Sequence, residues 1–120
     1  PSGNNLIDLF AYLIRKYGRM DTSEYARIMQ LKTSELRGAI LAIGGMSAME
    51  WRNRYLLLEA QELMERTDMS ITAIAAKLGF SQPSVFSKFF RTLTKSQPWE
   101  WRIEKKKPGS NRKRTYHCYE

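Results

Sequence analysis

The feature that most constrains this chain is that it repeats itself. Ala26 pairs with Ala75 at an offset of 49 residues, whereas Leu36 pairs with Phe86, Ile40 with Phe90 and Ile43 with Leu93 at an offset of 50. Glu50-Trp51-Arg52 then recurs as Glu100-Trp101-Arg102. One extra residue in the second copy's turn accounts for the change of offset. Each copy reads as a short helix, a turn of a few residues, a longer helix with a polar outer stripe, a break, and a helix bearing Glu-Trp-Arg. A helix, a tight turn and a second helix form the arrangement that lays the second helix in a DNA major groove. Two-helix turns also serve purely as packing units. A single copy would leave that reading strong; two copies at near-constant spacing weaken it.

The spacing of apolar residues is helical along nearly the whole chain, and Pro and Gly fall only at breaks. Leu6, Leu9, Phe10, Leu13, Ile14 and Tyr17 make one stripe, ended by Gly18. Asp21 with Glu24 marks a helix start, followed by Tyr25, Ile28 and Met29 on one face. Leu36, Ile40 and Ile43 mark a third helix, stopped at Gly44-Gly45. Ser47 and Glu50 have capping-box spacing and open the longest helix, 48–66. Its Tyr55-Leu56-Leu57-Leu58 run is apolar all round, which predicts burial on several faces and a strut between two modules. Ser70 caps a helix bearing Ile71, Ile74, Ala75 and Leu78, ended by Gly79. Pro83 falls in the first turn of the next, whose inner face is Phe86, Phe89, Phe90 and Leu93. Pro98 starts a short last helix with Trp99 and Trp101. No segment alternates as a strand would. The expected fold is therefore all-α: two helix-turn-helix subdomains joined by a long linking helix, about seven helices in total. The expected organisation is a tag or linker remnant at 1–5, a first unit at 6–47, the linking helix at 48–66, a second unit at 67–104 and a basic, disordered tail at 105–120.

Composition narrows the function. No apolar run approaches the roughly 20 residues that span a bilayer. The single Cys118 and single His117 give neither a disulfide nor a metal cluster nor a catalytic set, so no cofactor, metal or enzymatic activity is expected, and the cytoplasm is the expected compartment. The formal charge is +8 in 120 residues, which favours a polyanionic partner. Much of it is local: residues 105–114, with Lys105, Lys106, Lys107, Arg112, Lys113 and Arg114 and no acid, carry +6, leaving the other 110 residues at only +2. The case for nucleic acid must therefore come from pattern rather than from net charge.

The outer stripes are where that pattern lies. Ser84, Ser87, Lys88 and Arg91 fall at i, i+3, i+4 and i+7, opposite Phe86, Phe89 and Phe90, and no acid occurs from Ser81 to Gln97. Short polar and basic side chains on one helix face suit base-edge and phosphate contacts. The first copy offers Ser34, Arg37, Gly38 and Leu41, with Glu35 nearby. That stripe is poorer in charge and presents a leucine.

At this point the second copy becomes recognisable. Ser70-Ile71, Ile74-Ala75, Leu78-Gly79-Phe80, Phe86-Ser87-Lys88, Phe90-Arg91, Pro98 and Trp101-Arg102 together resemble the AraC/XylS family of bacterial transcription regulators, and Ala60 with Leu63-Met64 resembles the end of its linking helix. The resemblance covers roughly residues 20–102. It implies seven helices and two recognition helices in successive major-groove segments of double-stranded DNA. Carried over by position, it implies base contacts from Ser34, Arg37 and Gly38 in the first unit and from Ser84, Val85, Ser87 and Lys88 in the second. Backbone contacts are expected from Arg91, Lys95, Lys105, Lys106 and Lys107. RNA polymerase and a separate effector-sensing or receiver domain are further partners that the resemblance implies, the chain then being either a fragment or a small stand-alone regulator. The sequence departs from the family at Leu56, Gln97 and Lys95, and at Gly38 and Leu41, where the family's first recognition helix carries Arg and Lys. Two rivals stay open: a protein-docking module that has lost base reading, and a nonspecific nucleic-acid binder acting through the basic tail.

Overall fold

The structure, a computed structural model, describes residues 4–106. These form seven α-helices: α1 Asn4–Tyr17, α2 Thr22–Ile28, α3 Thr33–Gly44, α4 Ala48–Arg66, α5 Ile71–Lys77, α6 Pro83–Thr94 and α7 Pro98–Lys106. Among the described residues there is no strand, and no helix is long and apolar enough to cross a membrane. The chain divides into two compact units, and the boundary falls inside α4, between Leu56 and Leu57.

The repeat appears in the backbone. Helices α2 and α5 are both seven residues long and start 49 apart; α3 and α6 are both twelve long and start 50 apart. The turns between them share one hydrogen-bond pattern. The Leu31 N–H donates to the Ala26 carbonyl at 2.9 Å, and the Phe80 N–H to the Ala75 carbonyl at 3.0 Å. Gln30 and Gly79 both take the left-handed conformation, with φ of 61° and 87°. This helix ending satisfies the last carbonyls and then turns the chain sharply. The inserted residue comes immediately after: Lys32 alone precedes α3, whereas Ser81 and Gln82 precede α6.

In the first unit, α3 packs on α1 and α2. Its core holds Phe10, Leu13, Ile14, Tyr25, Leu36 and Ile40, with Phe10 and Tyr25 meeting edge to face at 5.2 Å. In the second unit, α6 packs on α5 and α7. Its core is more aromatic: Phe80 and Phe86 meet at 5.1 Å, and Phe90 lies edge-on to the fully buried Trp101 at 5.9 Å.

Capping is met unevenly. The Ser70 hydroxyl accepts the Ala73 N–H at 3.0 Å, as its position predicts. The Ser47 hydroxyl accepts the Glu50 N–H at 3.1 Å, but the Glu50 carboxylate meets that hydroxyl rather than the Ser47 backbone. Asp21 sits at the N-cap of α2 without a side-chain capping bond.

Several expectations need correction. Leu58 is 49% exposed, while Leu56 and Leu57 are fully buried. Three consecutive helical residues sweep about 200° around the axis, so a helix buried along one side must turn one of them outward. Leu9 and Tyr17 are exposed, not core; Leu9 lies at the edge of the α1 stripe and Tyr17 on its last turn. Ile28 is also exposed, as is Ile43, although the matching Leu93 is buried. The difference at Ile43 is one of cover: α6 packs on α7 as well as on α5, whereas the packing of α3 is on α1 and α2. Helix α1 takes in Asn4 and Asn5, which were expected to be linker. Helix α7 takes in Lys105 and Lys106, expected to begin a disordered tail; lysines are good helix formers and are favoured at a helix C-terminus. Residues 107–120, including Lys107, His117 and Cys118, lie outside the described residues.

Candidate nucleic-acid interface

Each unit presents one long helix whose inner face is core and whose outer face is open. On α6, Phe86, Phe90 and Leu93 are buried, which turns Ser84, Lys88 and Arg91 outward. All three are exposed, while Val85 and Ser87 on the flanks are half-buried. On α3, Leu36 and Ile40 are buried, and Ser34, Arg37, Gly38 and Leu41 are exposed. The sequence-predicted residues of each unit thus gather on one helix face. Among the described residues, none of Arg37, Lys88 and Arg91 meets an acidic partner.

The local electrostatics differ between the two helices. The first turn of α6 carries no acid, so its positive helix end is unopposed. The first turn of α3 carries Glu35, whose carboxylate accepts the Lys32 N–H at 2.8 Å. That bond closes the start of α3 but leaves a negative charge beside Arg37. Gly38 has nothing within 4 Å of where a Cβ would stand, so its surface lies bare between Arg37 and Leu41.

The candidate backbone contacts do not behave alike. Arg91 is exposed. Lys95 ends α6 in the left-handed conformation, with φ 66°, and its ammonium donates to the Thr92 carbonyl at 3.3 Å. Lys106 donates to the Thr67 carbonyl at 3.3 Å and stands 3.6 Å from the Asp68 carboxylate, so part of its charge is already answered. Lys105 is half-buried on the same helix end.

Behind both open faces the chain uses the same brace. Arg52 on α4 donates from Nη1 to the Met20 carbonyl at 2.8 Å. Arg102 on α7 donates to the carbonyls of Met64 at 3.0 Å, of Thr67 at 2.6 Å, and of Met69. Met20 and Met69 are themselves 49 residues apart, each in the loop before its unit's first short helix. The repeated Glu-Trp-Arg therefore contains an internal tie that holds the entry to each helix-turn-helix.

Two seven-residue helices, two turns with one hydrogen-bond pattern, two outward helices and two arginine ties in one chain are the structural content of a double helix-turn-helix. A helix-turn-helix domain profile matches residues 25–103. The chain belongs to the AraC-type helix-turn-helix family. Regulatory protein PocR of Salmonella typhimurium strain LT2 is 41% identical over 58 residues, which is 48% of this chain and 19% of that protein. This chain thus spans well under two thirds of that relative's length. The DNA-binding domain of AdpA, solved in complex with a target DNA, is similar with a TM-score of 0.72 at 22% identity, over 82% of this chain and 89% of that one. The C-terminal domain of AraT, a response regulator from Geobacillus stearothermophilus, is similar with a TM-score of 0.75 at 19% identity, over 96% of both chains. An AraC-type regulator from Chromobacterium violaceum gives 0.70 at 23% identity, over 87% and 91%.

As an AraC-type domain, the chain has the fold of DNA-binding transcription regulators. The braces of Arg52 and Arg102 were not singled out from sequence for what they do, although the repeat of Glu-Trp-Arg was their signal. The carbonyls they meet lie about 30 residues or more away in the chain, and no local pattern encodes such a contact.

Proposed function

We propose that this AraC-type domain binds duplex DNA sequence-specifically and so regulates transcription, with α3 and α6 as its two recognition helices. The observation that carries this is the pair of outward, polar helix faces, each fixed by an apolar inner face and set behind the same turn. In this reading Lys88 and Arg37 donate to guanine O6 and N7, and Ser34, Ser84, Val85 and Ser87 line the approach. Gly38 lets α3 come close. Arg91 and Lys95 meet phosphates in the same reading. This role needs no catalytic step, and its place is the cytoplasm, with the DNA. RNA polymerase and an effector-sensing or receiver domain are the further partners that family membership supports.

The test is selection of bound sequences from random duplex DNA, followed by affinity measurements on the selected and scrambled duplexes. The expected result is one enriched motif, bound about 10³-fold or more tightly than scrambled DNA at physiological salt. Equal affinity for all duplexes would leave only a nonspecific binder. No binding at all would leave a protein-docking module.

A further inference from the structure

The outer face of α3 ends on a feature that a phosphate-gripping helix does not need. Leu41 is 57% exposed, one turn beyond Arg37 and at the position that Arg91 occupies on α6. It is not alone. Leu41 and Arg37 together line a hollow of about 270 Å³ in the first unit, completed by Thr22, Ser47, Ala48 and Met49. Met49 is 58% exposed. Leu41 on the outer face of α3 and Met49 at the start of α4 are thus both exposed beside the Arg37 guanidinium.

We infer that Leu41 is a specificity-determining residue that reads a thymine by its methyl group, with Arg37 beside it donating to a neighbouring base. The inference rests on the DNA-binding role proposed above and goes beyond it in naming the base and the contact. Three observations support this occupant. The hollow is continuous with the polar stripe of α3, because Arg37 belongs to both. Gly38 lies between Arg37 and Leu41 with open space around it, so no side chain holds α3 away from the groove floor. The thymine C5-methyl is the one apolar group that the major groove presents, and apolar side chains are its partners. The two units then read DNA by different chemistry: α6 by charge and hydrogen bonds, α3 by an apolar contact flanked by a single arginine.

The test uses the selected duplex with each thymine replaced in turn by deoxyuridine, which removes the methyl and leaves base pairing intact. Wild-type protein is expected to lose about fourfold in affinity at one or two positions, the factor carried by burying one methyl group. Leu41→Ala is expected to bind the unmodified duplex about fourfold more weakly and to lose the deoxyuridine penalty at that position only. Leu41→Met, which keeps an apolar reach, is expected to retain it. Leu41 is exposed, so both variants should keep the wild-type melting temperature, which is measured alongside. Deoxyuridine penalties that persist unchanged in Leu41→Ala overturn the inference, and so does their absence in the wild type. A selection that enriches no duplex at all is a different failure, which removes the DNA-reading role itself. Unaltered DNA binding by Leu41→Ala assigns the apolar hollow to something other than a base, such as a docked protein.

Discussion

Lys95 shows how a single residue can be pulled between fold and function. It ends α6 at φ 66°, ψ 15°, and the matching residue of the first unit, Gly45, has φ 76°. A side chain in the left-handed region costs about 1 kcal/mol that glycine avoids. Lys95→Gly is therefore expected to raise the urea midpoint by an amount corresponding to about 1 kcal/mol. If Lys95 grips a phosphate, the same variant binds all duplexes more weakly, so stability and affinity move in opposite directions. A gain in stability with unchanged binding removes Lys95 from the interface. The stripe residues sort by a similar logic. Lys88→Ala is expected to weaken binding to the selected site by about 1–3 kcal/mol and to blur one base position. Arg91→Ala is expected to weaken selected and scrambled DNA alike. Arg37→Ala, beside Glu35, is expected to cost less specificity than Lys88→Ala. Binding of the three variants to both duplexes decides it, and a larger specificity loss at Arg37 would reverse the assignment of α6 as the dominant reader.

At the level of elements, the loop between α1 and α2 is held by side chains from two helices. The Tyr25 hydroxyl donates to the Gly18 carbonyl and accepts the Met20 N–H at 3.1 Å, while Arg52 holds the Met20 carbonyl at 2.8 Å. Burial pushes the Tyr25 hydroxyl above its ordinary value of 10, with the Met20 bond and then Arg52 working against that shift. Burial also lowers Arg52, with Arg19 second. A folded-state pKa raised above the unfolded one contributes stability that is present below about pH 10 and lost as pH rises through the folded value. Tyr25→Phe is accordingly expected to be less stable by about 1–2 kcal/mol at pH 8, from its lost hydrogen bonds. Above pH 10 the gap in melting temperature between wild type and variant is expected to narrow. A gap that stays constant to pH 11.5 would show that ionisation of this hydroxyl does not limit the unit. Elements were more legible in the sequence than their surroundings, for a physical reason. Ser70, Pro83, Gly79 and Gly45 act on their own backbone, so the helix ends they mark stand where local chemistry puts them. Leu36, Ile40, Phe86 and Phe90 recur with helical spacing and are buried, which in turn fixes Ser34, Arg37, Gly38, Ser84, Lys88 and Arg91 as outward. Leu58, Ile43 and Leu9 carry the same apolar signal but are exposed, because burial depends on which neighbour covers a face. The Arg102 tie and the hollow beside Leu41 are tertiary products of the same kind, absent from any local window.

For the whole molecule, the distribution of charge decides what the chain's basicity can do. Of its 20 basic residues, Lys107, Arg112, Lys113 and Arg114 lie in 107–120, with Glu120 as the one acid there. Within the described residues, Arg52 and Arg102 are spent on backbone carbonyls, and Lys106 on Thr67 and Asp68. Three of the 20 basic residues are thus already engaged within the fold, and four of the others lie beyond Lys106. Removal of each phosphate contact lowers the slope of log K against log salt by about 0.9. The end of α7 sets where a truncation must fall: cutting at 105 would remove the last turn and its bonds to the α4–α5 loop, whereas cutting after Lys106 keeps them. A protein ending at Lys106 is expected to keep the wild-type melting temperature and the wild-type selected motif, since base reading is assigned to α3 and α6. Its salt slope is expected to fall by between about 1 and 4, according to how many of the four cations meet phosphate. Affinities at several salt concentrations on selected and scrambled duplexes provide the measurement. An unchanged slope shows that residues 107–120 do not touch DNA. A changed motif moves part of the sequence reading off the helices, against the assignment of specificity to the two outward faces.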